Sequence, residues 1–185
     1  MVKIVQQKGG KVLRLKAIPV PVKEIATRRV QKIISDMKKA LDSQDDGVAI
    51  AAPQIGVSER IIVISGKVKA IIAGENEQTT NYDDTVFINP VITRSSREKG
   101  EMEEGCLSVR WLYGKVKRSA KVEVEGYNEF GKKIRRGASG LMAQIFQHEV
   151  DHLEGILFTD KANDVHEWIP ESKEVRAELK RNAKN

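Results

Sequence analysis

Two histidines four residues apart, with a glutamate between them, form the most informative part of the sequence. They are His148 and His152, and Glu149 follows the first of them in the run Gln-His-Glu-Val-Asp-His. Residues four apart on an α-helix lie on the same face, so both imidazoles can bind one metal ion. The glutamate is then a candidate general base beside that metal. The alternative interpretation is a helix whose histidines only pack against neighbouring residues.

The surrounding residues favour a helix in this part of the chain. Ser139 or Gly140 can begin the helix, and Gly155 stands where a C-terminal cap is expected. Leu141 and Ile145 share a face with the two histidines. The sequence therefore predicts that both imidazoles project from one side of this helix.

A catalytic metal site needs a third protein ligand that leaves one position for water. Zinc peptidases that add a later histidine to this motif are excluded, because Phe158 stands at that position. Cys106, the single cysteine, can supply a thiolate ligand for a borderline or soft divalent metal. Gly105 before it permits close backbone approach, and Glu104 can accept hydrogen bonds nearby. One cysteine and two histidines complete a catalytic tetrahedron with water.

Length and composition favour one compact globular domain over residues 1–185. Hydrophobic residues make up 40% and charged residues 31%, which argues against a disordered chain. No apolar run is long enough to span a membrane, and the N-terminus lacks the apolar core of a secretion signal, so we expect a cytoplasmic protein. The net charge of +6 is dispersed, so no direct nucleic-acid function is indicated.

The order of the predicted elements indicates an α+β fold. An amphipathic helix is predicted at about 23–42, residues 11–20 are expected to be extended, and residues 66–83 are expected to form a surface loop, mostly polar. Strands precede the histidine helix, which suggests antiparallel sheets packed around a central metal-binding helix in a single domain. The predicted strands cover residues 60–65, 86–93 and 121–127, and a hairpin turn follows at 128–131.

Three blocks of sequence, taken together, resemble the signature motifs of the peptide deformylases. These enzymes remove the N-formyl group from nascent bacterial and organellar proteins. The blocks are Gly47 to Gln54, with its Ala-Ala-Pro-Gln ending, Glu104 to Ser108 (Glu-Gly-Cys-Leu-Ser) and Gln147 to His152. The resemblance extends from about residue 12 to residue 161, and the second block contains the cysteine that the metal site requires.

The resemblance implies a reaction and a role for each matching residue. It implies metal-dependent hydrolysis of the N-formyl group from the N-terminal methionine of nascent polypeptides, with release of formate. Cys106, His148 and His152 would bind one divalent metal, Fe(II) first and Zn(II), Ni(II) or Co(II) as alternatives. Glu149 would be the general acid and base. Gln54 and the backbone N–H of Leu107 would stabilise the oxyanion.

The resemblance also implies a substrate groove. Gly47, Val48 and Gly105 would line the path of an extended peptide, and Val48, Leu141 and Ile145 would surround the methionine side chain. Ala49 stands where the family has a second glycine, so its methyl group would lie close to the substrate backbone.

Several assignments stay open at the level of sequence. Arg110 could bind substrate, and Trp111 could be a wall of the groove or part of the core. Asp151 could orient a histidine ligand or be a helix-surface charge. The tail at about 170–185 could be a helical or fraying solvated segment, or a basic contact with the ribosome.

Two other functions are compatible with parts of the pattern. A metallopeptidase would use the same helix, although a cysteine as third ligand argues against it. A structural metal site without turnover would need a fourth protein ligand, for which His166 is the only spare imidazole.

Overall fold

A computed structural model describes residues 9–76 and 82–169, together with Val5 and Gln7. The described chain contains three α-helices, which are α1 (Arg28–Asp42), α2 (Lys67–Ala73) and α3 (Gly140–Leu153). The strands are β1 (Ala49–Ala51), β2 (Ile61–Ile64), β3 (Thr85–Ser95), β4 (Lys99–Gly105), β5 (Leu112–Ser119), β6 (Lys121–Tyr127), β7 (Lys133–Ser139) and β8 (Asn163–Glu167). Short 3₁₀ turns lie at Lys11–Arg14, Val22–Glu24, Ala52–Ile55 and Phe158–Asp160.

The strands form two antiparallel sheets. One sheet has the strand order β1-β2-β3-β6-β7, and the other has the order β4-β5-β8. Helix α3 lies between them and contacts strands of both. The predicted α+β fold, with antiparallel sheets around a central helix, is therefore confirmed.

Strand β2 shows how the five-stranded sheet is covered on both faces. All four of its residues are buried, and successive side chains point to opposite faces. Ile61 and Val63 pack in a cluster with α1, whereas Ile62 and Ile64 pack in a cluster with α3. The burial of apolar side chains on both faces fixes α3 on the sheet, and its remaining side faces the smaller sheet.

Some predicted elements differ from the structure. Helix α1 begins at Arg28, not near residue 23, because Thr27 has an extended backbone and its hydroxyl donates to the carbonyl of Glu24. Residues 11–14 form a 3₁₀ turn before the extended segment. The expected loop at 66–83 contains α2, which ends where Gly74 adopts φ +70°. Strands β4, β5 and β8 were not predicted.

None of the described helices is both long and apolar enough to cross a membrane.

Candidate metal centre and active site

Helix α3 presents the two histidines as its sequence predicts. It begins after Ser139, and the rings of His148 and His152 lie one turn apart with centroids separated by 5.0 Å. Gly155 follows the helix with φ +74°, and a Cβ there would lie 2.7 Å from the carbonyl oxygen of Arg14. Glycine is therefore required for the chain to turn back at this point.

The segment after β4 brings Cys106 to the histidines. Its Sγ lies 3.1 Å from Nε2 of His152, and one ligand atom from each of Cys106, His148 and His152 lies within 4.8 Å of the others. This spacing is about twice a metal–ligand bond of roughly 2.0–2.3 Å, so the three donors fit one ion. Among the described residues no fourth side chain joins this group. The donor set therefore leaves a coordination position open.

Glu104 fixes the orientation of one imidazole. Its Oε2 lies 2.9 Å from Nδ1 of His148, and its two oxygens accept hydrogen bonds of 2.7 and 2.9 Å from Arg118. Burial alone would raise the pKa of Glu104, but hydrogen bonds to Arg118 and His148 outweigh it and lower the pKa to about 2. An ionised carboxylate only accepts, so Nδ1 carries the proton. The lone pair of Nε2 is then free for a metal.

Asp151 belongs to the same buried network, but its carboxylate pairs with Arg118 and Lys161 and not with His148 or His152. It accepts a 2.6 Å hydrogen bond from Arg118 and another of 2.6 Å from Lys161. The side chain of Arg118 is only 4% exposed, so its charge is balanced by two carboxylates away from water. Asp151 is therefore neither a surface charge nor the direct partner of a ligand, and Glu104 is the residue that contacts His148.

The surroundings of Cys106 and Glu149 shift the pKa values of both groups, in opposite directions. Burial raises the pKa of Cys106, but the neighbouring imidazoles of His152 and His148 outweigh it and lower the pKa well below its ordinary value. Burial raises the pKa of Glu149, which is only 4% exposed. Its Oε2 has no hydrogen-bond partner among the described residues. An unpaired buried carboxylate oxygen beside a metal-binding group is free to exchange a proton with a bound molecule.

Gln54 lies on the other side of Cys106 in a fixed orientation. Its Oε1 accepts a 2.8 Å hydrogen bond from the backbone N–H of Ala51. Its Nε2 therefore points toward Cys106, 3.7 Å from Sγ, and donates to the Ser108 hydroxyl at 3.2 Å. The 3₁₀ turn Ala52–Ile55 holds this amide, which is 1% exposed, at the edge of the site.

These groups share one cleft with a volume of about 300 Å³. The cleft runs between the β1 segment, the residues after β4, and α3. His152 is buried behind it, and Cys106 and His148 line it directly. The remaining predicted site residues all line it, namely Gly47, Val48, Ala49, Gln54, Gly105, Leu107, Leu141, Ile145 and Glu149.

Arg110 and Trp111 also line the cleft, and the structure defines their contacts. Arg110 donates two hydrogen bonds of 2.8 Å to Asp46 and one of 2.9 Å to Gln44. Its guanidinium lies 4.6 Å from the ring centroid of Trp111. Arg110 therefore joins the two walls of the cleft, and Trp111 is a wall residue.

The sequence did not predict two contributors to this site. No local sequence pattern identifies Arg118 as part of the site, because its partners Glu104 and Asp151 lie on other elements. Tyr113 lines the cleft opposite Gly105 in the β4–β5 ladder. Only the pairing register of an unpredicted hairpin places it there.

Three donors with an open position are the arrangement of a catalytic metal site, the kind that metal-dependent hydrolases use to activate water. The chain matches the Polypeptide deformylase family over residues 1–168. It is 40% identical to peptide deformylase 2 of Clostridium acetobutylicum over 80% of this chain and 87% of that protein. It is 46% identical to the peptide deformylase of Halothermothrix orenii over 83% of this chain and 88% of that protein.

A solved structure gives the same assignment. The chain is 33% identical to the class I type b peptide deformylase of Acinetobacter baumannii bound to Met-Ala-Ser, with a TM-score of 0.76 over 87% of this chain and 98% of that one. The chain therefore belongs to the peptide deformylase family of metal-dependent hydrolases. It removes the N-formyl group from the N-terminal methionine of nascent polypeptides and releases formate. The predicted enzyme class is thus confirmed.

Proposed function

We propose that this chain deformylates peptides at the cleft between β1, the residues after β4, and α3. One observation carries the assignment of roles. The Cys106, His148 and His152 donors, the buried carboxylate of Glu149 and the oriented amide of Gln54 lie around the same cavity. Amide hydrolysis by this route requires a metal, a proton acceptor and a hydrogen-bond donor that stabilises the oxyanion.

Cys106, His148 and His152 hold the metal in this proposal. A divalent metal in such a site lowers the pKa of coordinated water and polarises the formyl carbonyl. A thiolate and two imidazoles suit several borderline divalent ions. The resemblance to the family supports Fe(II) as the physiological ion, with Zn(II), Ni(II) or Co(II) as substitutes.

Glu149 moves the proton. Its carboxylate accepts a proton from the attacking water as the water oxygen bonds to the formyl carbon. The C–N bond of the formamide then breaks and the same proton passes to the departing amine, while the other water proton is lost to solvent as formic acid ionises. The products are formate and a peptide with a free methionine amino group. The burial of Glu149 and its raised pKa support this exchange, since a raised pKa makes the carboxylate a stronger proton acceptor.

Gln54 and the backbone N–H of Leu107 stabilise the negative charge that develops on the formyl oxygen. The amide of Gln54 is oriented before substrate binds, because Ala51 holds its oxygen. Preorganised donors of this kind need no rearrangement during the reaction, which makes them effective. Leu107 directly follows the cysteine ligand, so its N–H lies next to the metal group.

The substrate methionine lies against Val48, Leu141 and Ile145 in this assignment. All three line the cleft, and Ile145 belongs to the buried cluster beneath it. Gly47 and Gly105 flank the path of the peptide backbone, and Ala49 adds a methyl group to that path. The Acinetobacter baumannii relative has been solved with Met-Ala-Ser bound, which supports a cleft that takes a peptide beginning with methionine.

We also propose a cytoplasmic protein that forms one domain over residues 1–185. A contact with the ribosome through the basic tail at 170–185 is a further hypothesis from the family's work on nascent chains. That tail lies outside the described residues, so its predicted helix is untested. The charges of the chain give no support to a separate nucleic-acid function.

Formate release tests the metal and the reaction together. The purified chain would be stripped of metal and reloaded anaerobically with Fe(II), Ni(II), Co(II) or Zn(II), and formate would be measured from formyl-Met-Ala-Ala. We expect turnover with one metal per chain and the highest rate with Fe(II) or Ni(II). Absence of formate from every fully metallated form would refute the assignment.

A further inference from the structure

Strand β7 forms one edge of the five-stranded sheet. It pairs with β6 on one side, and no other strand of the described chain pairs with its outer side. The Asn128 N–H donates to the Lys132 carbonyl at one end of this ladder, and the Gly140 N–H donates to the Ala120 carbonyl at the other. Hydrogen-bonded pairs recur at every second residue of an antiparallel ladder, so the even-numbered residues of β7 bond to β6. The backbone groups of the odd-numbered residues therefore point outward, namely those of Lys133, Arg135, Gly137 and Ser139.

The side chains of this edge are basic. The strand and the lysine before it contain four basic residues and no acidic one, namely Lys132, Lys133, Arg135 and Arg136. The side chains of Lys133 and Arg135 are 67% and 53% exposed, and their ion pairs with Glu125 and Glu123 lie at the surface. Exposed ion pairs contribute little to stability, so both cations can pair with an incoming group. The edge therefore presents positive charge beside outward-pointing backbone groups.

Gly137 leaves a gap in the row of side chains on the exposed face of β7. Ile134 packs in the cluster with α3, so the odd-numbered side chains face away from that helix. A Cβ at Gly137 would meet no atom within 4 Å. The gap opens into a shallow groove of about 530 Å³ that Arg94, Lys121 and Glu123 also line. No residue of β7 lines the catalytic cleft, so this surface is separate from the cleft.

We propose that β7 binds an acidic, extended segment of a partner polypeptide, which adds to the sheet as a further strand. Such a strand supplies partners in register for the outward N–H and C=O groups, which a nucleic-acid backbone does not. A second copy of this chain fits poorly, because two β7 strands would place like charges opposite each other.

The register of β7 specifies the sequence of the segment. Every strand pair of this sheet is antiparallel. An antiparallel segment meets Gly137, Arg135 and Lys133 in that order, at alternate residues that share one face. A bulky side chain fits over the glycine, and acidic side chains fit opposite the two cations. The matching pattern is therefore bulky-x-acidic-x-acidic.

A short peptide tests this surface directly. The probe is fluorescein-labelled Thr-Phe-Thr-Glu-Thr-Glu-Thr, whose Phe would cover Gly137 and whose two Glu residues would face Arg135 and Lys133. We expect saturable binding to the metal-loaded full chain, measured by fluorescence anisotropy. Replacing both Glu residues of the peptide by Gln should weaken binding about 3- to 10-fold.

Two variants of the edge separate backbone pairing from charge. Gly137→Pro removes an outward N–H but no hydrogen bond to β6, a position at which edge strands tolerate proline. It should retain formate release and bind the Glu peptide about 3- to 10-fold more weakly. Arg135→Gln should weaken the Glu peptide about threefold and leave the Gln peptide unchanged. Lys117→Gln is the control, because Lys117 is an exposed lysine of β5 in the other sheet, and it should change neither affinity.

Amide hydrogen exchange locates the bound peptide. Exchange should slow at the outward N–H groups of Arg135 and Gly137 and change little at Ile134 and Arg136, which already bond to β6. Absence of saturable binding, equal affinity for the Glu and Gln peptides, or unchanged affinity in folded Gly137→Pro would overturn the proposal. Protection of these amides by an RNA hairpin or by a higher protein concentration, with none by the peptide, would also overturn it. None of these binding assays needs turnover, so their outcome is independent of the proposed reaction.

Discussion

Nδ1 of His148 and Oε2 of Glu104 lie 2.9 Å apart, and this contact links the metal group to a buried charge network. Arg118 connects the same carboxylate to Asp151, whose other partner is Lys161. The network joins β4, β5 and α3, the three elements that carry or flank the candidate metal donors. The geometry of the Cys106–His148–His152 group therefore depends on residues outside that group.

Replacing Glu104 tests this dependence. In Glu104→Gln the uncharged amide no longer balances Arg118 or fixes the proton on His148, so we expect metal affinity to fall about 10- to 100-fold. Loss of one partner of a buried ion pair should also lower the free energy of unfolding, by about 3–5 kcal/mol at most. Metal competition with a chelator and thermal unfolding of the metal-loaded protein measure the two effects.

Glu103→Gln is the matched control for that substitution. Glu103 neighbours Glu104 on β4, but its side chain is 64% exposed. Removing the charge of Glu103 should leave metal affinity within about twofold of the wild type, since exposed ion pairs contribute little. Equal metal affinity in the two variants would contradict the role given to the buried network.

The amide of Gln54 offers a test of oxyanion stabilisation. In Gln54→Ala the donor aimed at the site is lost, and we expect kcat to fall about 10²- to 10³-fold with the metal retained. Gln31→Ala is a suitable control, because the Gln31 amide is also held by hydrogen bonds, which it donates to the backbone carbonyls of Ile25 and Glu129, and it does not line the cleft. A Gln54→Ala enzyme with wild-type kcat would show that this amide does not act on the transition state.

Replacing Ala49 should affect substrate affinity more than the chemical step. It is 6% exposed in β1, where it lines the cleft and also packs against the buried cluster beneath it. Ala49→Gly removes no catalytic group, so kcat should stay within about twofold while KM changes. Glycine in a strand should also lower the free energy of unfolding by about 0.5–1 kcal/mol. A rise in kcat of tenfold or more would mean that the methyl group obstructs the reaction itself.

The sequence was most informative where function depends on local spacing. His148 and His152 are separated by one helical turn, so their rings share a face in any fold that contains this helix. Cys106 could be inferred as the third candidate donor because a catalytic set needed one more and only one cysteine exists. The structure brings these side chains together, and their individual roles stay predictions.

Contacts between distant strands could not be inferred in the same way. Arg118 meets Glu104 only because β4 and β5 form a hairpin, and the polar sequence of β4 gives little indication of a strand. Likewise Trp168 reaches Tyr113 through β8, whose residues are all exposed and carry no apolar alternation. Pairing register is a property of the assembled sheet, which local patterns do not determine.

The most direct test of the account is formate release by Glu149→Gln, measured beside the metal content of the same preparation. The substitution keeps the size of the side chain and removes its capacity to accept a proton. We predict that the variant binds one metal per chain with wild-type affinity, while kcat falls at least about 10²-fold. Turnover within about threefold of the wild type, with metal fully bound, would contradict the central claim that Glu149 moves the proton in this site.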